Sequence, residues 1–362
     1  MLTTRQILAL WLLQGTTSIG LRTIVDRGMG LDDILVASAD ELAALGLRRA
    51  AIASLGAIDE ALTRADEQIT RAATLGATIV TLWDERYPPR LREIYAPPVV
   101  LFALGTLEAA DEQSIAIVGT RGASTYGRLT AERYAGECAA AGITVVSGLA
   151  RGIDIYAHSA AMASGGRTIA VVASGLDMIS PSTSAQLARR IAAQGCVLTE
   201  HALGVKAIPA FFPQRNRIIS GIASGTVVVE SDIKGGAMIT AGFALDQNRD
   251  VFAVPGPVTS PKSRGTNHLI RTDRARLTQE PLDVLDALGY HVPIPDSRPG
   301  AEGVVDLLFE DRELGEVGAE PQHIDDLTDR TGLAANELLV SLLQLEFKGL
   351  ARQMAGKMFL RG

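Results

Sequence analysis

Apolar residues recur at helical spacing through the first part of the chain and in short unbroken runs through its middle. Ile7, Leu10 and Leu13, then Leu21, Ile24 and Val25, predict two short helices with Ser18-Ile19-Gly20 as the turn between them. In the next pair, Ser38-Ala39-Asp40-Glu41 has the chemistry of a capping box and Leu45-Gly46-Leu47 ends that helix. Residues 77–83 read as a strand, and Tyr87-Pro88-Pro89 and Ala96-Pro97-Pro98 mark turns leading into the middle domain. There one theme repeats: an apolar run, a Gly turn, a helix. Strands are expected at 115–118, 144–146, 168–172, 196–199, 226–229 and 251–254, and helices at 129–141, 155–163, 184–193, 216–223 and 238–247. Val/Ile runs without alternation are buried on both faces, so the pattern predicts an α/β domain with a doubly wound, mostly parallel sheet. Its ligand belongs at the carboxyl ends of the strands. Residues 291–300, with three prolines, are a linker. Helices at 304–309, 324–331 and 335–347, then a hairpin over 351–360, spell a winged helix-turn-helix. The expected division is 1–70, small and all-α; 76–290, the α/β domain; and 301–362, the winged helix.

Composition narrows the classes. The 362 residues are 47% hydrophobic and 21% charged, as in a folded chain of two or three domains. The uncharged stretches 6–21 and 218–229 are too short and too polar to span a membrane. The apolar run behind Arg5 lacks a small-residue cleavage site and reads as a core helix. Cys138 and Cys196 without CxxC spacing imply a reducing compartment, the cytoplasm, and five scattered histidines offer no zinc site. Net charge is −5 over residues 1–113, +4 over 114–290 and −6 over 301–362. A basic middle is what a polyanion would meet.

The Gly-rich loops of that middle carry the chemistry. Gly119-Thr120-Arg121-Gly122-Ala123-Ser124-Thr125-Tyr126-Gly127 follows the first central strand and opens a helix, where N–H groups and helix dipole attract an anion. Its spacing is not GxGxxG, and the acid expected about 20 residues on is missing, which disfavours a dinucleotide. Arg121 suits a bare phosphate, shared with the helix-start N–H groups. Gly148-Leu149-Ala150-Arg151-Gly152 supplies another Arg, and Phe211-Phe212-Pro213-Gln214-Arg215-Asn216-Arg217 sets aromatics beside cations. Lys234-Gly235-Gly236 and Lys262-Ser263-Arg264-Gly265-Thr266-Asn267 complete the set. Cations for phosphates among rings for bases is the composition of a single-strand groove. Asp154 and His158, four apart, read as an N-cap and its packing neighbour rather than an acid/base or metal pair. No Ser/His/Asp set or paired carboxylate stands near the loops, so no catalytic residue, cofactor or metal is expected.

At these loops the chain resembles the DNA-processing protein A family (DprA, also called Smf). The resemblance rests on Ile117-Val118-Gly119-Thr120-Arg121 with Tyr126-Gly127, Ser147-Gly148-Leu149-Ala150-Arg151-Gly152-Ile153-Asp154 with Ala157-His158, and Phe212-Pro213-Gln214-Arg215-Asn216-Arg217-Ile218-Ile219. Gly235-Gly236-Ala237-Met238-Ile239-Thr240-Ala241, Val251-Phe252-Ala253-Val254-Pro255-Gly256 and Gly265-Thr266-Asn267 with Leu269-Ile270 continue it. It implies an extended Rossmann-like domain that binds single-stranded DNA, forms a homodimer and helps load RecA recombinase in natural transformation. A SAM-like or helix-hairpin-helix N-terminal domain and a C-terminal winged helix complete the family pattern. Two blocks depart from it: Met178-Ile179-Ser180-Pro181 stands where a Tyr-Pro pair is usual, and Arg271-Thr272-Asp273-Arg274-Ala275 replaces a Gly-Ala. A second hypothesis is a nucleotide-processing enzyme of the lysine-decarboxylase-like (LOG) group, but Gly235-Gly236 is followed by neither its Gly-Thr nor its Glu. A third, a duplex-reading transcription factor, lacks Arg or Lys in residues 335–347. The winged helix is therefore expected to serve protein interaction or self-association.

Overall fold

The computed structural model describes residues 2–290, 322–331, 351–354, 356 and 358–361, with Leu338, Leu342 and Glu346. The linker expected at 291–300 and the helix at 304–309 lie outside the described residues. Contacts divide the chain into two compact units, 1–292 and 293–362, so the division expected near 70–76 falls inside the first.

The first unit opens with helices α1 (Thr4–Leu12), α2 (Ser18–Asp26), α3 (Leu31–Val36), α4 (Ala39–Ala44), α5 (Arg49–Ser54) and α6 (Ile58–Leu75). Ser18-Ile19-Gly20 is not a turn but the first turn of α2, because Thr17 caps it by accepting from the Gly20 N–H at 3.1 Å. Ser38 and Glu41 form the expected capping box at α4. Leu8, Leu21, Ile24, Ile34 and Leu42 are buried in one cluster with Phe102, Ala170, Val172 and Ile191 of the α/β part. The N-terminal helices thus share a core with the sheet rather than closing on their own.

The α/β part continues as β1 (Ala77–Thr81), α7 (Pro89–Arg92), β2 (Val100–Gly105), β3 (Ser114–Val118), α8 (Thr125–Ala140), β4 (Thr144–Ser147), α9 (Ile153–Ala163) and β5 (Thr168–Val171). Then come α10 (Ser182–Gln194), β6 (Cys196–Thr199), α11 (Phe211–Ile222), β7 (Gly225–Val228), α12 (Gly236–Asp246), β8 (Asp250–Ala253), α13 (Arg264–Arg271), β9 (Arg276–Leu277) and α14 (Pro281–Ala287). Among the described residues nine strands form one sheet in the order β1-β2-β6-β5-β4-β3-β7-β8-β9. From β6 to β9 every pairing is parallel; β1 and β2 add an antiparallel edge at β6. Alternate residues of the strands face opposite layers: Ile115, Ile117, Val145 and Phe252 pack on α8, α9 and α14, while Ala116, Val118, Val146 and Ala253 pack on α11 and α12. This is the doubly wound sheet the Val/Ile runs predict. The winding direction reverses between β3 and β7, which opens a crevice at their carboxyl ends.

In the second unit, α15 (Ile324–Thr331) accompanies a small sheet ordered β10-β12-β11, from β10 (Gln322–His323), β11 (Ala351–Met354) and β12 (Met358–Arg361). The β11–β12 hairpin turns at Gly356, φ 81°, as the winged-helix pattern requires. Leu338 and Leu342, one helical turn apart, are buried.

Candidate nucleic-acid interface

The loops after β3, β4, β5, β6 and β7 meet at the carboxyl ends of the strands. After β3, the Thr120 N–H donates to the Glu230 carbonyl at 2.8 Å, and the Ile153 N–H donates to the Thr120 carbonyl at 3.3 Å. Gly152 starts α9 with φ 93°, and a side chain there would strike the carbonyls of Thr120 and Arg121. The β3 and β4 loops are thereby locked together, with Arg121 and Arg151 exposed.

Two hollows open above these loops. One, of about 600 Å³, is lined by Gly119, Thr120, Phe212, Asn216, Gly235 and Ile239. The other, of about 720 Å³, is lined by Leu149, Arg151, Met178, Ser180, Thr183 and Lys206. Arg121 and Phe212 belong to both. The Arg121 guanidinium lies over the Phe212 ring, 5.2 Å from its centre, as a bridge between the hollows. Ile208, Ile233 and Ile239 are exposed nearby. Among the described residues no carboxylate pairs with Arg121, Arg151, Lys206, Lys234 or Lys262. Free cations beside a half-buried ring and apolar walls can hold phosphates and stack bases. A third hollow, of about 710 Å³, lies between Arg249 and Arg276 at the β8–β9 edge, away from the strand-end loops.

Several expected contact residues have other duties. The segment 211–217 is not a loop but the first turns of α11. Arg215 is only 4% exposed, and its guanidinium donates to the carbonyls of Gly148 and Val171, tying the ends of β4 and β5 together. Asp154 lies across Gly148 from it, accepting from the Ala150 N–H at 3.3 Å. Burial pushes the Asp154 carboxyl up to about 6 against the pull of Arg215, and burial lowers Arg215 to about 10. Asp154 does not cap α9; Gly152 does. His158 bonds to the Thr168 hydroxyl at 2.6 Å, and burial lowers it to about 3.

Arg217 pairs with Glu200 and donates to the Ala96 carbonyl at 2.7 Å, holding the lead-in loop against α11. Phe211 stacks on His201 with ring centres 4.2 Å apart. Asn216 accepts from Arg215 at 3.3 Å, and Arg264 pairs with Asp232 at 3.1 Å. Asn267 clamps Gly256 through both its N–H and its carbonyl. The Tyr126 hydroxyl donates to the Pro255 carbonyl at 2.8 Å. Tyr126, Phe211, Arg217, Lys234, Lys262, Arg264 and Asn267 line neither strand-end hollow.

Two important residues escape the sequence reading. Lys206 lines the second hollow, and its signal was a cation five residues before Phe211. Glu230, 2% exposed, fills the start of α8. Its carboxylate accepts from the Ser124 N–H at 2.9 Å and from the Ser124 hydroxyl at 2.5 Å, and the Gly127 N–H donates to that same hydroxyl at 3.0 Å. A Cβ at Gly127 would run into this carboxylate. The Glu230 carboxylate thus lies at the start of α8, where the sequence reading expects Arg121 and the helix-start N–H groups to share a phosphate.

Residues 78–289 match the family model for DNA recombination-mediator protein A, and residues 310–357 that for the DprA winged helix domain. The chain is 38% identical over 273 residues to Protein Smf of Escherichia coli, covering 73% of this chain and 72% of that protein. It is 39% identical over 205 residues to the DNA processing protein DprA of Streptococcus pneumoniae, covering 57% and 72%. The X-ray structure of DprA from Streptococcus pneumoniae superposes with a TM-score of 0.69 at 32% identity, over 80% of this chain and 100% of that one. DNA processing protein A from Helicobacter pylori, described for its single-stranded DNA binding mode, gives 0.54 at 27% identity, over 59% and 97%.

Proposed function

The chain belongs to the DNA recombination-mediator protein A family, and from that premise we propose that its strand-end groove binds single-stranded DNA without enzymatic turnover. The observation that carries this reading is the Arg121–Phe212 bridge between two hollows, with the unpaired cations Arg151 and Lys206 lining the second. The single-strand binding described for the Helicobacter pylori relative supports it. A nucleotide-cleaving enzyme would need a free carboxylate open to substrate, whereas Glu230 and Asp154 at these loops are 2% and 7% exposed and already engaged, and Asp232, which lines the first hollow, is paired with Arg264. The wider role proposed on the family resemblance is that of a cytoplasmic mediator that protects incoming strands and helps load RecA recombinase in natural transformation. Among the described residues no helix is long and apolar enough to cross a membrane.

The groove should prefer single strands and show little sequence preference. With three to five phosphate contacts, affinity should fall about 10- to 100-fold between 50 and 200 mM salt. Titration of single-stranded and duplex oligonucleotides at both concentrations checks this. Affinity indifferent to salt, or higher for duplex, would contradict the reading.

The homodimer proposed for the middle domain has a candidate surface at the free edge of β9. Leu277 there is 48% exposed, and α8, joined to this edge through Tyr134 and Thr278, presents Leu129 at 53%. Two grooves on one long strand would raise effective concentration without new contacts. Light scattering at micromolar concentration should give twice the chain mass; a monomer mass would remove this element. The winged helix, at −6 over residues 301–362, is proposed as a protein-interaction module rather than a duplex reader.

A further inference from the structure

We propose that Glu230 is a specificity-determining residue: its carboxylate occupies the phosphate position of the fold and makes the groove blind to free nucleotides. A glycine-rich loop running from a parallel strand into a helix is an anion site, because the first N–H groups of the helix lack partners and carry its positive dipole end. Free nucleotides seated there would compete with a DNA strand for the same crevice. In this chain the position is filled from within. Glu230, from the end of the neighbouring β7, accepts from the Ser124 N–H at 2.9 Å and from the Ser124 hydroxyl, and its own carbonyl accepts from Thr120. Among the described residues no cation pairs with this buried carboxylate, and it sits at the positive end of the α8 dipole, where a phosphate would. Gly127, whose Cβ would collide with the carboxylate, gives it room. Arg121, exposed beyond the plug, remains open to the phosphodiester of a strand that crosses the crevice without entering it. This step rests on the groove being the strand's site, but its test does not need DNA.

Thermal melts of wild type, Glu230→Ala, Glu230→Ser and Glu230→Gln are compared with and without about 10 mM inorganic phosphate. A phosphate-dependent rise of about 2–4 °C is expected for the alanine or serine chain, with none for wild type or the space-filling glutamine chain. A Glu230→Ala chain that folds only in phosphate also supports the assignment. In competition, about 10 mM dTMP should weaken oligo(dT) binding at least about fivefold in Glu230→Ala and less than about twofold in wild type. The assignment is overturned if folded alanine and serine chains show no phosphate response, if neither is recovered by phosphate, or if dTMP displaces DNA from wild type. A wild type that binds no single strand contradicts the proposed function and leaves the phosphate melts to decide Glu230 alone.

Discussion

Arg121→Ala should lower affinity for single-stranded DNA about 10- to 100-fold while leaving thermal stability within about 1–2 °C of wild type. Arg121 is exposed, pairs with no carboxylate among the described residues and lays its guanidinium over the face of Phe212. Its removal therefore lies within the roughly ±0.5 kcal/mol typical of surface changes. Binding loses more. A charge-assisted contact to phosphate is worth about 1.5–3 kcal/mol, and the ring it orients is a stacking platform. Arg121→Lys should recover part of the affinity, because a point charge keeps the attraction but not the planar stack. Equilibrium titration beside a melting curve separates the two effects. Unchanged affinity in a folded Arg121→Ala chain would show that the groove's centre lies elsewhere.

Arg215→Ala should do the opposite, costing about 3–5 kcal/mol of stability because it removes a buried cation and strands its counter-charge. In wild type, Arg215 ties the carbonyls of Gly148 and Val171 and faces Asp154 across Gly148. Without it those carbonyls lose their donor and the buried Asp154 carboxyl loses the charge that restrains its pKa. That carboxyl already stands at about 6 through burial, so the variant should hold it higher still. A folded-state pKa above the unfolded one gives stability that is present at low pH and lost as pH rises through the folded value. The deficit of Arg215→Ala should accordingly be largest above neutral pH and narrow as pH falls towards 5. His158, lowered to about 3 by burial and then by Arg215, is partly released in the variant, which narrows the deficit further as pH falls below the ordinary imidazole value. Urea unfolding at a series of pH values measures this; a deficit independent of pH would show that Asp154 and Arg215 are uncoupled.

The contrast between these arginines marks where the sequence was legible. The parallel strands were readable because Val/Ile runs buried on both faces have no other home, and β3 to β8 begin and end within a residue of expectation. The helix α11 was missed at its start because Phe211-Phe212-Pro213 looks like a loop, although proline is tolerated in a first helical turn. With the start restored, Arg215 falls three, four and seven residues before Ile218, Ile219 and Ile222, on the face that becomes core. A cation in a polar motif cannot otherwise be told from a surface one. The antiparallel edge of β1 and β2 depends on pairing at long range, and β9 is two residues long, so neither leaves a clear local period. Glu230 was hidden for a related reason. An acid closing a β-branched strand looks like solvent-facing punctuation until the fold sets it beside Ser124.

Photo-crosslinking tests the central claim most directly, because it reports where the strand lies. A 5-iodouridine-substituted oligonucleotide is irradiated with the full chain, and the adducts are mapped by mass spectrometry. Adducts on Phe212 and in the peptides carrying Arg121 and Lys206, lost in Arg121→Ala, are the predicted result. Adducts confined to residues 1–70 or 301–362, with none at the strand ends, would contradict it.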